Sequence, residues 1–227
     1  MSMRNLCIVQ ARMSSLRFPG KVLATLAGTP VIDILLNRIS KSAEIDHIVV
    51  ATSTHISDNI LVEHLQGADI YRGSLIDVRS RFIEIANKYK PKNIIRITAD
   101  CPLACPQLID EVIALHNQSG ADYSANCNLN PFPKGFDVEV FKSAVLHYPE
   151  YLSENVREKE HVTPWMYENG NIRVSNLEFN SNSHMNKFNF SVDNKNDLNF
   201  LEDLTKQAPI KKLTFWEIFK TVNFSAS

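Results

Sequence analysis

The chain has 227 residues, of which 44% are hydrophobic and 22% charged, and its formal net charge is −1. This composition is ordinary for a globular protein and does not fit a disordered or fibrous chain. The near-zero charge argues against a nucleic-acid binder that works by broad phosphate neutralisation, because such domains carry excess Lys and Arg over a whole face. We expect one domain over residues 1–227, with halves at 1–120 and 121–227.

The four cysteines indicate a reducing compartment, because they are too few for a disulfide framework in a chain of this length. Cys101 and Cys105 lack the further ligands that a zinc site needs, and we expect two buried thiols. The sequence shows no apolar run typical of a signal peptide, nor about 20 apolar residues in a row that would span a bilayer. We therefore expect a soluble, cytoplasmic protein.

The first half of the chain alternates apolar runs with segments of helical spacing. Predicted strands cover 5–10, 47–53, 68–73 and 93–99, and predicted helices cover 30–42, 57–67, 77–89 and 105–120. Such alternation predicts an α/β fold built from parallel βαβ units, with helices on both faces of the sheet. Right-handed crossovers place the loops that follow the strands at one edge, where ligands bind in such folds.

Beyond Gly120 the pattern becomes irregular. Strands are predicted over 121–126, at the end of 128–141, and over 171–179 and 188–193, and helices over 153–169, 194–207 and 214–222. We therefore expect the sheet to be mixed in its second half.

The loop that leaves the first strand, residues 11–21, is the first candidate site. It carries three cations and two hydroxyls, namely Arg12, Ser14, Ser15, Arg17 and Lys21. Cations this close repel one another unless an anion lies among them, so the loop is typical of a phosphate cradle. The alternative is a solvated surface loop. Neither the P-loop nor the dinucleotide-binding fingerprint is present.

Two aspartates follow predicted strands. Asp100 comes just after strand 93–99, and Asp193 is the last residue of the predicted strand 188–193, just before the next helix. One or two carboxylates together with phosphate oxygens and water are the ligands that Mg²⁺ uses at nucleotide sites. Asp100 has the alternative of capping the following helix. Asp197 is expected at a helix start, where negative charge meets the helix dipole.

Six ordered motifs carry a family resemblance: IVQARMSSLRFPGKVL, YRGSLIDVRSRF, RITADCPLACPQLID, KGFDVEVF, KEHVTPW and SVDNKNDL. They resemble the spore-coat polysaccharide cytidylyltransferases of the SpsF type, which are similar to the synthetases that activate Kdo and nonulosonic acids as CMP-sugars. The resemblance implies a Rossmann-like, GT-A-like nucleotidyltransferase fold, a three-layer α/β/α sandwich with a mixed, mostly parallel sheet. It also implies CTP, Mg²⁺, a sugar or sugar-acid acceptor, pyrophosphate release, a role in surface polysaccharide biosynthesis, and a homodimer.

The same resemblance implies roles for individual residues. The triphosphate loop would comprise Ala11, Arg12, Ser14, Arg17 and Lys21, and the metal ligands would be Asp100 and Asp193. Arg12, Lys21 and Asp100 would stabilise the charges of the reaction. The sequence departs from the family pattern at VDNKNDL, which lacks the usual Thr-Pro-Glu, and at Phe136, where Leu is usual.

Further candidate residues lie outside the basic loop and the two aspartates, and several of them have structural alternatives. Arg72 and Ser74 are expected to contact the base or ribose, and Asp77 either joins them or caps its helix. The pair Asp137 and Glu139 would face one side of a strand and bind sugar hydroxyls or a metal, against the alternative of a solvent-facing edge. His161 would bind the carboxylate of the acceptor sugar or act as a base, although a lone helical histidine is more often structural.

Two other functions remain open at this level. A GT-A-type glycosyltransferase would use a similar sheet to bind a nucleotide sugar, but it normally carries a DxD metal pair, and TADCP has only one aspartate. A non-catalytic nucleotide-binding protein is the second alternative, against which the retention of both aspartates and all three cations speaks.

Overall fold

A computed structural model describes residues 3–152, 155–179, 188–209 and 211–225, with side chains to Val222. The strands within these ranges are β1 (Asn5–Gln10), β2 (Thr25–Leu26), β3 (Thr29–Pro30), β4 (His47–Ser53), β5 (Ile70–Gly73), β6 (Asn93–Thr98), β7 (Tyr123–Ala125), β8 (Glu139–Lys142) and β9 (Val174–Asn176). The α-helices are α1 (Val31–Ile39), α2 (Asn59–His64), α3 (Val78–Tyr89), α4 (Pro106–Ser119), α5 (Val156–His161), α6 (Pro164–Glu168), α7 (Lys195–Gln207) and α8 (Phe215–Ser225).

A seven-stranded sheet forms the centre of the described structure, in the order β5-β4-β1-β6-β8-β7-β9. Strand β1 pairs in parallel with β4 and with β6, and β4 pairs in parallel with β5. Strand β8 is antiparallel to both neighbours, and β9 is parallel to β7. The mixed, mostly parallel α/β sheet predicted from the sequence is therefore confirmed.

Both faces of β1 are buried, which explains its continuous apolar sequence. Side chains alternate between the faces of a strand. Cys7 and Val9 pack into a core with α1, α2 and α4 on one face, whereas Leu6 and Ile8 pack with α3 and Met166 of α6 on the other. With helices on both sides, the carboxyl ends of β1, β4, β5 and β6 meet at one open edge. None of the helices among the described residues is long and apolar enough to cross a bilayer.

The second half departs from prediction in two places. The predicted helix over 153–169 is two short helices, α5 and α6, with Val162 at φ 70° between them, and its first two residues lie outside the described ranges. Pro164 explains the break, because it has no N–H for an intrahelical bond and its ring would clash with the preceding turn of a continuous helix.

The predicted strand over 188–193 is not a strand. Phe190 N–H donates to the Lys134 carbonyl at 2.8 Å, and Val192 N–H donates to the Asp100 carbonyl at 2.8 Å. These bonds go to two different segments, so no ladder with a single partner strand forms. The segment instead ties the turn at Lys134 to the loop that follows β6.

Candidate active site

Two backbone hydrogen bonds of Met13 fix the shape of the basic loop, residues 11–21. Its N–H donates to Asp58 Oδ1 at 2.8 Å, and its carbonyl accepts from Gly20 N–H at 2.9 Å. Gly20 has φ 75°, a conformation that glycine adopts without strain. The loop therefore folds back on itself, which brings Lys21 to the open edge of the sheet.

Asp58 supports the loop from below rather than capping a helix. Its side chain does not cap α2, and its second oxygen accepts from Thr52 and Ser53 beneath the loop. Burial raises the pKa of this carboxyl group. Hydrogen bonds from Ser53, Met13 and Thr52 together lower the pKa by more than burial raises it, so the net pKa lies below its usual value. Asp58 is therefore a buried anionic support for the loop.

Lys21 joins the two aspartates that the sequence singled out. Its Nζ lies 2.5 Å from Asp100 Oδ2 and 3.3 Å from Asp193 Oδ1. All three side chains are largely shielded from water, with exposed fractions of 13%, 21% and 8% respectively. Asp100 does not cap the next helix, whose N-cap is Cys105.

Two more cations contact Asp193. Arg17 lies 3.1 Å from its Oδ1, and Lys134 contacts its Oδ2. Burial raises the pKa of Asp193, but the bond and charge of Lys134 and the charge of Lys21 outweigh burial and hold the net pKa below its usual value. Asp193 is thus an ionised carboxylate surrounded by cations.

Backbone contacts place Asp193 beside Asp100. Besides the bond from Val192 to the Asp100 carbonyl, Asn194 caps α7, and Asp197 accepts from the backbone N–H groups of Asp193 and Asn194 at 2.9 Å. Asp197 therefore belongs to the helix start, as its position predicted.

The carboxylates of Asp100 and Asp193 are suitable ligands for a hard divalent cation whose remaining coordination positions are filled by other oxygens. Asp100 and Asp193 each present an oxygen to the same ammonium group, which marks a position where both carboxylates can meet one cation. Within the described residues, no group of three or more His, Cys, Asp or Glu side chains could hold a metal alone. Two carboxylates with phosphate and water oxygens are a typical Mg²⁺ environment.

A cavity of about 330 Å³ opens above these residues. Its walls include Arg12, Arg17, Lys21, Asp100, Asp193, Ser15 and His161. Of the predicted loop residues, Ala11 and Ser14 do not line this cavity, whereas the neighbouring Ser15 does. Arg12 is paired with Glu160 of α5 at 3.1 Å, and both side chains are partly exposed.

Arg72 and Ser74 lie away from this cavity. Strand β4 separates β5 from β1, and Arg72 donates to the Ser53 carbonyl at 2.9 Å and to Asn59 Oδ1 at 2.8 Å. Asp77 caps α3 by accepting from Ser80 N–H at 2.9 Å, the structural alternative of its two predicted roles.

A second cavity, of about 380 Å³, adjoins the first and shares Arg96, Thr98 and His161 with it. Asp137 and Glu139 both line this second cavity, although β8 begins only at Glu139. His161 ends α5 at the junction of the two cavities.

The two carboxylates of the second cavity differ in their partners. Glu139 is buried and bonded to Arg96, Tyr123 and Thr163, which makes it an internal support. Burial raises the pKa of Asp137, and the nearby charge of Glu139 adds to this, against one bond from Gly135 N–H. Among the described residues Asp137 accepts one hydrogen bond, from Gly135 N–H at 3.1 Å, so oxygen positions are left for a ligand.

Sequence reasoning missed Lys134 and Glu160 as members of the site. Each is polar and lies inside a motif that was noted, KGFDVEVF or KEHVTPW, but their partners are 59 and 148 positions away along the chain. The local sequence signals for a role in the site were weak: Lys134 precedes Gly135, and Glu160 precedes His161.

A mostly parallel sheet, a cation-rich loop after β1 and two carboxylates at the same edge define a nucleotide-binding α/β protein. A family model described as cytidylyltransferase matches residues 6–220. The chain belongs to this family and is a nucleotidyltransferase.

Individual relatives agree with this assignment. Spore coat polysaccharide biosynthesis protein SpsF of Bacillus subtilis (strain 168) is 34% identical over 211 residues, which cover 89% of this chain and 87% of that protein. A cytidylyltransferase structure from Leptospira borgpetersenii serovar Hardjo-bovis (strain JB197) has a TM-score of 0.90 at 25% identity and covers 99% of this chain and 95% of that one. A CMP:2-keto-3-deoxy-manno-octonic acid synthetase complexed with CTP has a TM-score of 0.66 at 16% identity, covers 90% and 99%, and supports the fold alone.

Proposed function

We propose that the protein transfers CMP from CTP to a sugar and releases pyrophosphate, with Mg²⁺ as cofactor. The observation that carries this proposal is the convergence of Lys21, Asp100 and Asp193 at the cavity beside β1. The acceptor expected from the related proteins is a sugar acid of the Kdo or nonulosonic type. In-line attack of its anomeric hydroxyl on the α-phosphorus would form the CMP-sugar.

The basic loop would bind the triphosphate. Arg12 and Arg17 can each take phosphate oxygens two at a time, whereas Lys21 acts as a point charge. Phosphoryl transfer depends mainly on positioning and on neutralising charge, so these cations would stabilise the departing pyrophosphate. Arg72 and Ser74, outside the cavity, have no part in this proposal.

Asp100 and Asp193 would hold the divalent cation. When bound, such an ion supplies polarisation of the α-phosphate. The chain itself would hold this ion at the strand edge through the two aspartates, and the basic loop would supply the positive charges that neutralise the β- and γ-phosphates.

The second cavity would take the acceptor. It adjoins the nucleotide cavity at Arg96, Thr98 and His161, so an acceptor there would face the bound nucleotide. Asp137 and His161 are the groups available to contact the sugar, and Glu139 would hold Arg96 and Thr163 in place. In this proposal the first half of the chain supplies most of the nucleotide site, to which the second half adds Asp193, and the second half supplies most of the acceptor site.

A matrix of the four ribonucleoside triphosphates against sugars and sugar acids tests the reaction, with pyrophosphate release as the readout. We expect release with CTP and one acceptor class only, lost when Mg²⁺ is removed. The variant Asp100→Asn removes one of the two carboxylates from the proposed metal site. Asp203→Asn is its matched control, because Asp203 is an exposed carboxylate paired with Lys206 on α7.

The same assay separates the alternatives. Transfer from an existing nucleotide sugar without pyrophosphate release would favour a glycosyltransferase. CTP binding without turnover on any acceptor would favour a non-catalytic nucleotide-binding protein. Either outcome would reject the proposed reaction.

A further inference from the structure

Both carboxylate oxygens of Asp193 are already bonded to cations of the chain. Oδ1 accepts from Arg17 at 3.1 Å and Lys21 at 3.3 Å, and Oδ2 accepts from Lys134, whereas the Ser191 hydroxyl donates its one proton to Asn189 Oδ1 at 2.7 Å. An ionised carboxylate offers about four acceptor positions in total. Three of these positions on Asp193 are taken by cations of the chain, so a metal ion bound there would lie directly beside an ammonium or guanidinium group unless one of them leaves.

Lys21 is the cation that stands between the two carboxylates. Its ammonium lies 2.5 Å from Asp100 and 3.3 Å from Asp193, and its side chain is only 13% exposed. Unlike a surface ion pair, this contact is shielded from competing water and salt. An ammonium and a divalent cation bonded to the same two oxygens would repel strongly at such short range.

We propose that the Lys21 ammonium occupies the metal position in the nucleotide-free enzyme, and that the triphosphate must draw Lys21 away before a divalent cation can bind Asp100 and Asp193. This inference rests on the proposed function. It adds that the order of binding is built into the site, because one lysine serves the carboxylates first and the phosphates afterwards.

The basic loop is placed for such an exchange. Lys21 follows Gly20, whose N–H is fixed to the Met13 carbonyl, so the backbone stays in place while the side chain changes partner. Arg17 is 68% exposed and can follow it to the phosphates. Both cations and the two aspartates line the same cavity. Nucleotide and metal then strengthen each other's binding reciprocally.

Mn²⁺ binding to nucleotide-free protein, followed by the electron paramagnetic resonance signal of the free ion, tests the proposal directly. We expect weak binding to the wild type and at least about tenfold tighter binding to Lys21→Met, because the competing charge has been removed at short range. Lys195→Met is the matched control. Lys195 is exposed and lies 6.0 Å from the Phe18 ring, near the site but on neither aspartate. Its variant should change Mn²⁺ affinity by less than about threefold, since an exposed charge is largely screened.

Equal Mn²⁺ affinity of wild type and Lys21→Met would overturn the proposal, and so would an equal gain in Lys195→Met, which would show a general charge effect. If Lys21→Met does not fold, Lys134→Met is the second variant, since Lys134 is 56% exposed and contacts Asp193 only through Oδ2. We then expect a smaller gain, and no gain would overturn the proposal.

These results are distinguishable from failure of the proposed reaction. A gain in Mn²⁺ affinity without pyrophosphate release from any acceptor would reject the reaction and keep the role of Lys21. Pyrophosphate release with no gain in Lys21→Met would reject the role of Lys21 alone.

Discussion

Asp58 gives the sharpest test of how the basic loop is held. Its fully buried carboxylate accepts from Met13 N–H at 2.8 Å, Thr52 Oγ1 at 3.0 Å, and Ser53 N–H and Oγ at 3.0 and 2.5 Å. Asp58→Ala leaves two backbone N–H groups without this acceptor, and each unpaired buried donor costs about 1–3 kcal/mol. We expect the free energy of unfolding to fall by about 3–5 kcal/mol in total.

Urea unfolding at pH 7 measures this loss. Asp58→Asn keeps one acceptor oxygen, and we expect it to cost about 1–2 kcal/mol, because an amide cannot accept on both sides. Asp46→Ala is the matched control. Asp46 also accepts two backbone N–H groups, those of Arg4 and Asn5, but it is exposed and remote from the cavity, so we expect a loss of about 1 kcal/mol.

Nucleotide binding separates support of the loop from general stability. Because Met13 fixes the loop that carries Arg12 and Lys21, Asp58→Ala should weaken CTP binding by more than about tenfold under conditions where the variant is folded. Asp46→Ala should leave CTP affinity unchanged. An Asp58→Ala protein within about 1 kcal/mol of the wild type would refute the reasoning on stability. A destabilised variant with wild-type CTP affinity would refute the reasoning on the loop.

Three further predictions follow from single residues. Asp100→Asn should preserve the unfolding free energy within about 1 kcal/mol while turnover falls by at least about a hundredfold; wild-type turnover would contradict the proposed role. Gly135→Ala should cost about 2–4 kcal/mol, because Gly135 has φ 101° and an added Cβ would lie 2.4 Å from the Phe190 carbonyl carbon; a thermal midpoint equal to that of the wild type would contradict this contact. Burial lowers the pKa of His116 from 6.5 to about 4, so as the pH falls the unfolded chain takes up the proton first and stability is lost between these two values. The loss reaches about 3 kcal/mol, and His116→Gln should flatten this part of the urea-derived pH profile; an unchanged slope would contradict the assignment.

The first half of the fold could be predicted because its signals are local. The apolar runs at 5–10 and 47–53 match β1 and β4 residue for residue, since each strand is buried and bounded by polar loops. The run at 93–99 ends one residue beyond β6. In the second half, segment 188–193 alternates like a strand, yet its N–H groups bond to two unrelated segments. Nothing in the alternation itself carries that information.

The site residues that could be predicted from the sequence are those with a local signal. Asp100 and Asp193 stand out because each carboxylate follows an apolar run. Lys134 and Glu160 do not, because their importance comes from ion pairs with residues far away in the sequence. Arg72 is the reverse case, because its local signal was clear but its contacts are structural. Its position at a strand end suggested a ligand contact, whereas its guanidinium donates to Ser53 of β4 and Asn59 of α2.

The charge argument for the basic loop changes once the fold is known. In the sequence, Arg12, Arg17 and Lys21 suggest a missing anion, but in the structure the counter-charges are the protein's own carboxylates, Glu160, Asp193 and Asp100. The loop therefore needs no ligand to be stable. A triphosphate that draws these cations away would leave the carboxylates beside new negative charge, whereas a divalent cation that follows would restore a positive partner to Asp100 and Asp193. The electrostatics of the site consequently favour the complex with both nucleotide and metal over a complex with either alone, and in the proposed order the nucleotide binds first.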